Sequence, residues 1–154
     1  MAKKKSNQSK KIVNRRARFD YELGDSLVVG IELTGPETKS LRMGHGHLRG
    51  AYVTVKDNEL YLLNATITGS SGVPINEEAK TRSRKLLAKR KEINNLILAK
   101  RNGTTIVPIE LLTKGKYIKL KIAIGKGKKK YDKRQTIKQR EASRQTRSLN
   151  KQYS

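Results

Sequence analysis

From Lys126 to Ser154 the chain offers almost nothing to a hydrophobic core, and this limits what can fold. The segment carries 11 Lys or Arg against Asp132 and Glu141, a net charge of +9, with Ile137, Ala142 and Leu149 as its few apolar anchors. A stretch of this composition cannot order itself by burying apolar surface. It needs a partner that is anionic, extended and already structured. The folded body is therefore confined to the residues before it, and a length of 154 residues allows one domain with appendages.

Charge is concentrated at the ends. Residues 1–18 carry eight basic side chains and no acidic one, and residues 19–125 are only moderately basic, within a total of +23. Two cationic arms on a milder body point to a polyanion, held with salt-sensitive affinity through counterion release. Membrane phosphates compete poorly as that anion. No run reaches the roughly 20 apolar residues of a spanning helix, and neither arm has an anchoring apolar face. Met1-Ala-Lys-Lys-Lys has no hydrophobic stretch behind it, so a secretory signal is not read. Cysteine is absent, which removes disulfides, thiolate metal sites and thiol catalysis. The expected compartment is the cytoplasm.

Residues 1–11 read as a disordered basic arm. Ile12 to Tyr21 mixes apolar and cationic groups and is expected to dock on the body. Ser26 to Thr34 has the β-branched content of a buried strand, with Gly30 expected to form a bulge or bend. Pro36, Glu37 and Gly44 mark the start, positive end and exit of a short helix. On that helix Lys39 and Arg42 share a face, and Leu41 points to the core. Gly50 to Lys56 and Glu59 to Thr68 form a hairpin around Asp57-Asn58, residues that tolerate the left-handed backbone of a tight turn. Residues 69–76 form a loop, and Asn76 with Glu77 and Glu78 could begin a helix. Between Lys85 and Arg101 the spacing predicts a helix, with Leu86, Ile93 and Ile97 on one stripe and Gly103 beyond its end. Two further strands are expected over Thr104–Leu112 and Tyr117–Gly125. In the second, Tyr117, Lys119 and Lys121 alternate with Ile118, Leu120 and Ile122. The chain is thus expected to be mainly β, an antiparallel barrel like the oligonucleotide-binding (OB) fold, with two or three short flanking helices and a disordered basic C-terminal tail. The boundaries are residues 1–11 for the arm, 12–125 for the barrel and 126–154 for the tail.

No catalytic, cofactor or metal site is expected. Gly44-His-Gly-His47 invites a metal reading, but Cys is absent and nearby carboxylates are sparse. A turn with incidental or RNA-facing imidazoles is preferred. Gly125-Lys-Gly-Lys-Lys-Lys130 lacks the spacing of a phosphate-binding P-loop. Glu32 and Glu37 are read as a solvated strand carboxylate and a helix-dipole carboxylate, not as a catalytic pair.

The RNA-facing groups are better supported. Asn14, Arg15, Arg16, Arg18 and Tyr21 place an amide and guanidiniums beside aromatic rings, suited to phosphate pairing and base stacking. Lys39 with Arg42 forms a second cationic ridge, and Arg82, Arg84, Lys85 and Lys89 a third. In the tail, Asp132 and Gln135 have the spacing of a capping box. Ile137, Arg140, Glu141 and Arg144 then recur at helical spacing, for a helix marginal in free solution. It is expected to form only against phosphates, as coupled folding and binding.

These motifs occur in an order that resembles the tmRNA-binding protein family of bacterial trans-translation (small protein B, or SsrA-binding protein). The resemblance runs through Asn14-Arg-Arg-Ala-Arg-Phe-Asp-Tyr21, Gly35-Pro-Glu-Thr-Lys-Ser-Leu-Arg42, Ala51-Tyr-Val53, Asn64-Ala-Thr-Ile67 and Arg82-Ser-Arg-Lys-Leu-Leu87. It ends in Gly125-Lys-Gly-Lys-Lys-Lys-Tyr-Asp-Lys-Arg134 and Ile137-Lys-Gln-Arg-Glu141. The resemblance implies a barrel that holds the tRNA-like domain of tmRNA and brings it to a stalled 70S ribosome. It also implies a tail, disordered alone, that becomes helical in the empty mRNA channel and contacts small-subunit rRNA. One copy per tmRNA is expected, with no membrane and no chemistry by the protein itself. Asn14, Arg16, Arg18, Tyr21, Lys39, Arg42, Arg84, Lys85 and Leu87 are implied on the tmRNA side, joined by Arg15, Arg82 and Lys89 of the same ridges. Gly125, Lys126, Gly127, Lys128, Lys129, Lys130, Tyr131, Asp132, Lys133, Arg134, Ile137, Lys138, Arg140 and Glu141 are implied on the ribosome side. The chain departs from the family pattern at Phe19, commonly His, at Val28, often Glu, and at Pro36 and Thr38. A structural ribosomal protein and a general single-strand RNA chaperone are the alternatives. One Phe, six Tyr and no Trp argue against the chaperone's stacking platform.

Overall fold

The computed structural model describes residues 11–128 and 130–152; the side chains of 130–132 and 148–152 are not described. Of the expected basic arm only Lys11 falls within that range. Lys129 and the side chains of Lys130, Tyr131 and Asp132 fall outside it. The elements in order are β1 (Ile12–Val13), α1 (Ala17–Asp20), β2 (Tyr21–Ile31), α2 (Gly35–Arg42), β3 (Gly46–His47), β4 (Tyr52–Lys56) and β5 (Glu59–Leu63). They continue with β6 (Thr66–Ile67), α3 (Glu77–Lys80), β7 (Arg84–Leu87), α4 (Arg90–Arg101), β8 (Thr105–Leu112), β9 (Lys119–Gly127) and α5 (Lys130–Gln152).

Strand alternation builds a barrel. In β9, Leu120 and Ile122 are buried while Lys119 is exposed, as one-faced patterning requires. The antiparallel neighbours run β8-β4-β5-β7-β2-β9, and β9 pairs with β8 again, so six strands close on themselves. Closure leaves no strand of the ring as a terminal edge strand. β1 adds to the far part of β8, opposite Glu110 and Leu111. The β4–β5 hairpin turns at Asp57 and Asn58, whose φ values of 51° and 62° are the left-handed pair the sequence led one to expect.

Leu60, Leu62, Leu86, Ile106, Leu120 and Ile122 fill the interior, with Leu41 from α2 and Ile93 and Leu96 from α4 packed onto it. Each such side chain contributes roughly 1.5–3 kcal/mol through burial. β8 is irregular between Pro108 and Glu110, so Ile109 is the extra residue. Proline has no N–H to give a ladder, and a bulge is where a strand tolerates it.

Several expectations are corrected. Lys85 to Leu87 is strand, not helix, because Leu60↔Leu86 and Tyr61↔Lys85 pair it to β5; the helix begins at Arg90. The irregularity in β2 lies between Leu23 and Ser26, not at Gly30. Gly30 instead permits close approach, since a Cβ there would sit 3.1 Å from Leu87 Cβ. In the tail the structure carries a helix from Lys130, so Asp132 lies within its first turn and is not its cap. In the structure α5 carries most of the tail as one helix.

Candidate nucleic-acid interface

The expected RNA-facing residues divide between the two ends of the barrel. β9 spans nine residues, roughly 27 Å of rise. At its finish lie Tyr21, α1 and the start of the tail, because Tyr21 pairs with Gly127. At its start lie Ile31, α2 and β7, because Gly30 pairs with both Lys119 and Leu87.

At the α1 end, the β8 bulge supplies the anchor. Asn14 donates its backbone N–H to Ile109 O (2.7 Å) and its Nδ2 to Pro108 O (2.8 Å). The amide expected to meet RNA is thus engaged in holding β1 to β8. It turns the exposed side chains of Arg15, Arg16 and Arg18 outward. A cleft of about 780 Å³ opens between this segment and residues 47–50, lined by Asn14, Arg15, Arg16 and Asp20 on one wall and His47 and Arg49 on the other. Arg49 was missed from sequence. A lone arginine in a Gly-rich loop has no periodicity to mark it, and only the fold brings it opposite Arg15.

The start of the tail docks beside this cleft. Lys128 donates its backbone N–H to Asp20 O and its Nζ to Arg18 O, both at 2.9 Å. Lys133 Nζ lies 3.3 Å from Asp20 Oδ1, and Arg16 Nε lies 3.6 Å from Asp20 Oδ2. Three cations surround one ring: Arg16 at 5.4 Å from the Phe19 centroid, with Lys133 and Arg140 at 5.9 Å. Gly125, expected on the ribosome side, is buried. A Cβ there would meet Val107 Cγ2 at 2.9 Å and Tyr21 Cβ at 3.1 Å, so in the free chain this glycine serves close packing. Lys126, Gly127, Arg134, Ile137, Lys138, Arg140 and Glu141 are exposed.

At the α2 end, a buried carboxylate reorganises the expected cationic ridge. Thr34 caps α2 by accepting from Glu37 N (3.4 Å), and Glu37 Oε1 accepts from Thr34 N (3.2 Å). Glu37, 2% exposed, also accepts from Arg82 and from Arg84 Nε. Arg84, 0% exposed, spends its remaining nitrogens on Ala65 O, Arg82 O, Ala79 O and Lys80 O. Burial pushes the Glu37 carboxyl up, but the hydrogen bonds from Arg82, Arg84 and the Thr34 backbone outweigh it and hold it below its ordinary value. Burial pushes the Arg84 guanidinium down, against the raising effect of Glu37. Arg84, expected on the tmRNA side, is thus buried in the free chain with its guanidinium taken up by these partners. Glu37 is likewise no simple helix-dipole carboxylate.

Arg42 is also engaged. Nη1 donates to Thr113 O (3.0 Å) and Gly115 O (2.9 Å), and Nη2 to Lys116 O (3.0 Å). Lys39 and Lys89 are exposed, and Arg82 and Lys85 half-buried. Leu87, 49% exposed, and Val28, 45% exposed, edge a groove of about 480 Å³ shared with Lys85 and Lys89.

The SmpB protein family profile matches residues 11–152 of this chain. The chain belongs to the SmpB family. An SsrA-binding protein of Trichormus variabilis is 40% identical over 96% of this chain and 97% of its own length. One from Jannaschia sp. is 44% identical over 99% of each. One from Sphingomonas elodea is 48% identical over 86% of this chain and 84% of its own. Among solved structures, a chain described under "tmRNA-SmpB: a journey to the center of the bacterial ribosome" superposes with a TM-score of 0.63. It shares 34% identity and covers 78% of this chain and 85% of that one. The SmpB-family match thus takes in the barrel, both cationic ends and α5.

Proposed function

We propose that this chain is a ribosome-rescue factor of trans-translation: it binds the tRNA-like domain of tmRNA, brings it to a stalled ribosome and probes the empty mRNA channel with its tail. The observation that carries this is the division of cationic surface between two ends of one rigid barrel, together with SmpB-family membership. We assign the groove edged by Leu87, Lys85 and Lys89, with Lys39 on α2, to the tRNA-like domain. Arg15, Arg16 and Arg18 share their end of the barrel with Lys126, Lys128 and α5. We therefore assign them to the ribosome with the tail, rather than to tmRNA. No catalytic step falls to the protein; it acts by positioning one RNA against another, in the cytoplasm.

Electrostatics supports the tail's part. α5 keeps Arg134, Lys138, Arg140, Arg144 and Arg147 exposed along its length. A helix so poor in apolar contacts gains little from the body and much from a phosphate-lined channel. Deleting residues 131–154 is expected to leave affinity for the isolated tRNA-like domain within about twofold while abolishing peptide tagging on stalled ribosomes. Equal loss of RNA affinity on truncation would defeat the division of labour. Quantified against ribosomes in a pull-down, the chain is expected to be substoichiometric and to enrich one tRNA-like RNA.

A further inference from the structure

The loop between β8 and β9 holds the most exposed large apolar side chain among the described residues, and nothing assigned so far uses it. Tyr117 is 69% exposed. A tyrosine left in water at the end of a buried strand gains little from the fold, so its ring is available to a ligand. The backbone beneath it is fastened with unusual care. Arg42 reaches over from α2 and draws in the carbonyls of Thr113, Gly115 and Lys116, the residues leading into Tyr117. Gly115 has φ +92°, a left-handed turn that L side chains rarely adopt, so the loop is shaped as well as tethered.

The surroundings identify the occupant's chemistry. Lys116 Nζ lies 5.5 Å from the centroid of the Tyr117 ring. Lys114 and Lys119 are exposed on either side, and no acidic residue occurs between Glu110 and Asp132. A protein partner would favour an aromatic anchor ringed by apolar surface. An aromatic ring among lysines fits an unpaired nucleotide, its base stacked on the ring and its phosphate met by an ammonium.

We propose that Tyr117 is a stacking platform for one unpaired base of the bound RNA, with Lys116 meeting the adjoining phosphate and Arg42 acting as the positioning residue that holds the loop in its receptive shape. This rests on the tRNA-like domain as ligand. Tyr117 lies at the barrel end assigned to that RNA, since Lys119, two residues on, pairs with Gly30 beside Leu87. It also accounts for Arg42, whose two terminal nitrogens face carbonyls where the sequence led one to expect RNA.

The test is equilibrium binding of the full chain to a fluorescently labelled tRNA-like domain across a salt series, with thermal melts of each variant. Tyr117→Ala is expected to weaken binding about 5- to 150-fold, the range for removal of one base–aromatic stack. Tyr117→Phe keeps the ring and is expected to stay within about twofold of wild type. Lys116→Ala is expected to reduce the slope of log affinity against log salt by roughly 0.7–0.9, as for one phosphate no longer neutralised, and Tyr117→Ala to leave it unchanged. Arg42→Lys keeps the charge but not the three-carbonyl grip, and is expected to weaken binding with unaltered slope. Wild-type affinity in a folded Tyr117→Ala, or a loss in Tyr117→Phe equal to that in Tyr117→Ala, overturns the platform. Failure of the wild-type chain to prefer the tRNA-like domain over a size-matched hairpin overturns the functional reading instead.

Discussion

At Glu37 one carboxylate closes the start of a helix and pairs with two guanidiniums, Arg82 from the loop before β7 and Arg84 from β7 itself. Breaking such a buried pair from one side leaves a charge without its partner and costs about 3–5 kcal/mol. Glu37→Gln is therefore expected to lower unfolding free energy by a few kcal/mol at neutral pH, read by urea denaturation. The pH dependence has a definite sign. Because the folded carboxyl titrates below its ordinary 4.5, its contribution is fully present above that value and is lost as pH falls through the folded one. Wild type should thus lose stability in acid over this window, and Glu37→Gln should lose less. A wild-type urea midpoint that did not move between pH 6 and pH 3 would remove Glu37 from this role. Gly125 makes a second prediction at the same scale. A methyl there collides with Val107 and Tyr21, and overpacking of this kind costs about 1–3 kcal/mol. Gly125→Ala should lower the melting temperature of the isolated chain, an effect that a surface contact to the ribosome would not produce.

Among the elements, α5 meets α1 through two contacts that can be cut without touching the barrel. Asp20 receives Lys133, and Phe19 collects three cations. A partly exposed ion pair contributes at most about 1 kcal/mol, so removing both supports should loosen the helix, with Lys128 Nζ still donating to Thr136 Oγ1. In the double variant Phe19→Ala, Asp20→Ala, amide exchange over residues 133–147 is expected to approach that of the isolated tail peptide, with the strands still protected. Unchanged exchange in the tail would mean that α5 is held elsewhere. The elements also mark how far sequence could be read. The Asp57-Asn58 hairpin, the start of α2 and the alternation of β9 are local signals, and the chain displays them in order. β7 was misread because Leu86 stands seven residues before Ile93 and so completes a helical stripe, while its pairing to β5 is a long-range fact. The burial of Arg84 and Gly125 was hidden for one reason. A basic residue in a cationic run and a glycine in a basic motif look like surface, and only the fold sets Glu37 against the one and Val107 against the other. Arg49 and the latch on Phe19 depend on segments far apart in the chain, for which no spacing rule exists.

For the whole molecule, the roughly 27 Å along β9 decides how the two ends communicate. Substitutions more than about 10 Å apart with no shared partner act additively. If one end meets the tRNA-like domain and the other the ribosome, each should fail separately. Arg15→Ala with Arg49→Ala strips both walls of the α1-end cleft without touching the Asp20 latch or the Asn14 anchor. Affinity for the small ribosomal subunit is expected to fall, with the salt slope reduced by roughly 0.7–0.9 for each phosphate left without its cation. Affinity for the tRNA-like domain should stay within about twofold. Lys85→Ala with Lys89→Ala should do the reverse, and combining the four should give the product of the two losses. A combined loss well beyond that product would mean that the ends are coupled through the barrel. A loss of tRNA-like-domain binding from Arg15 and Arg49 would mean that this RNA wraps both ends. Additivity is the expected result, because the two ends are joined through a six-stranded ring closed by its own ladder, with Leu60, Leu62, Leu120 and Ile122 packed inside.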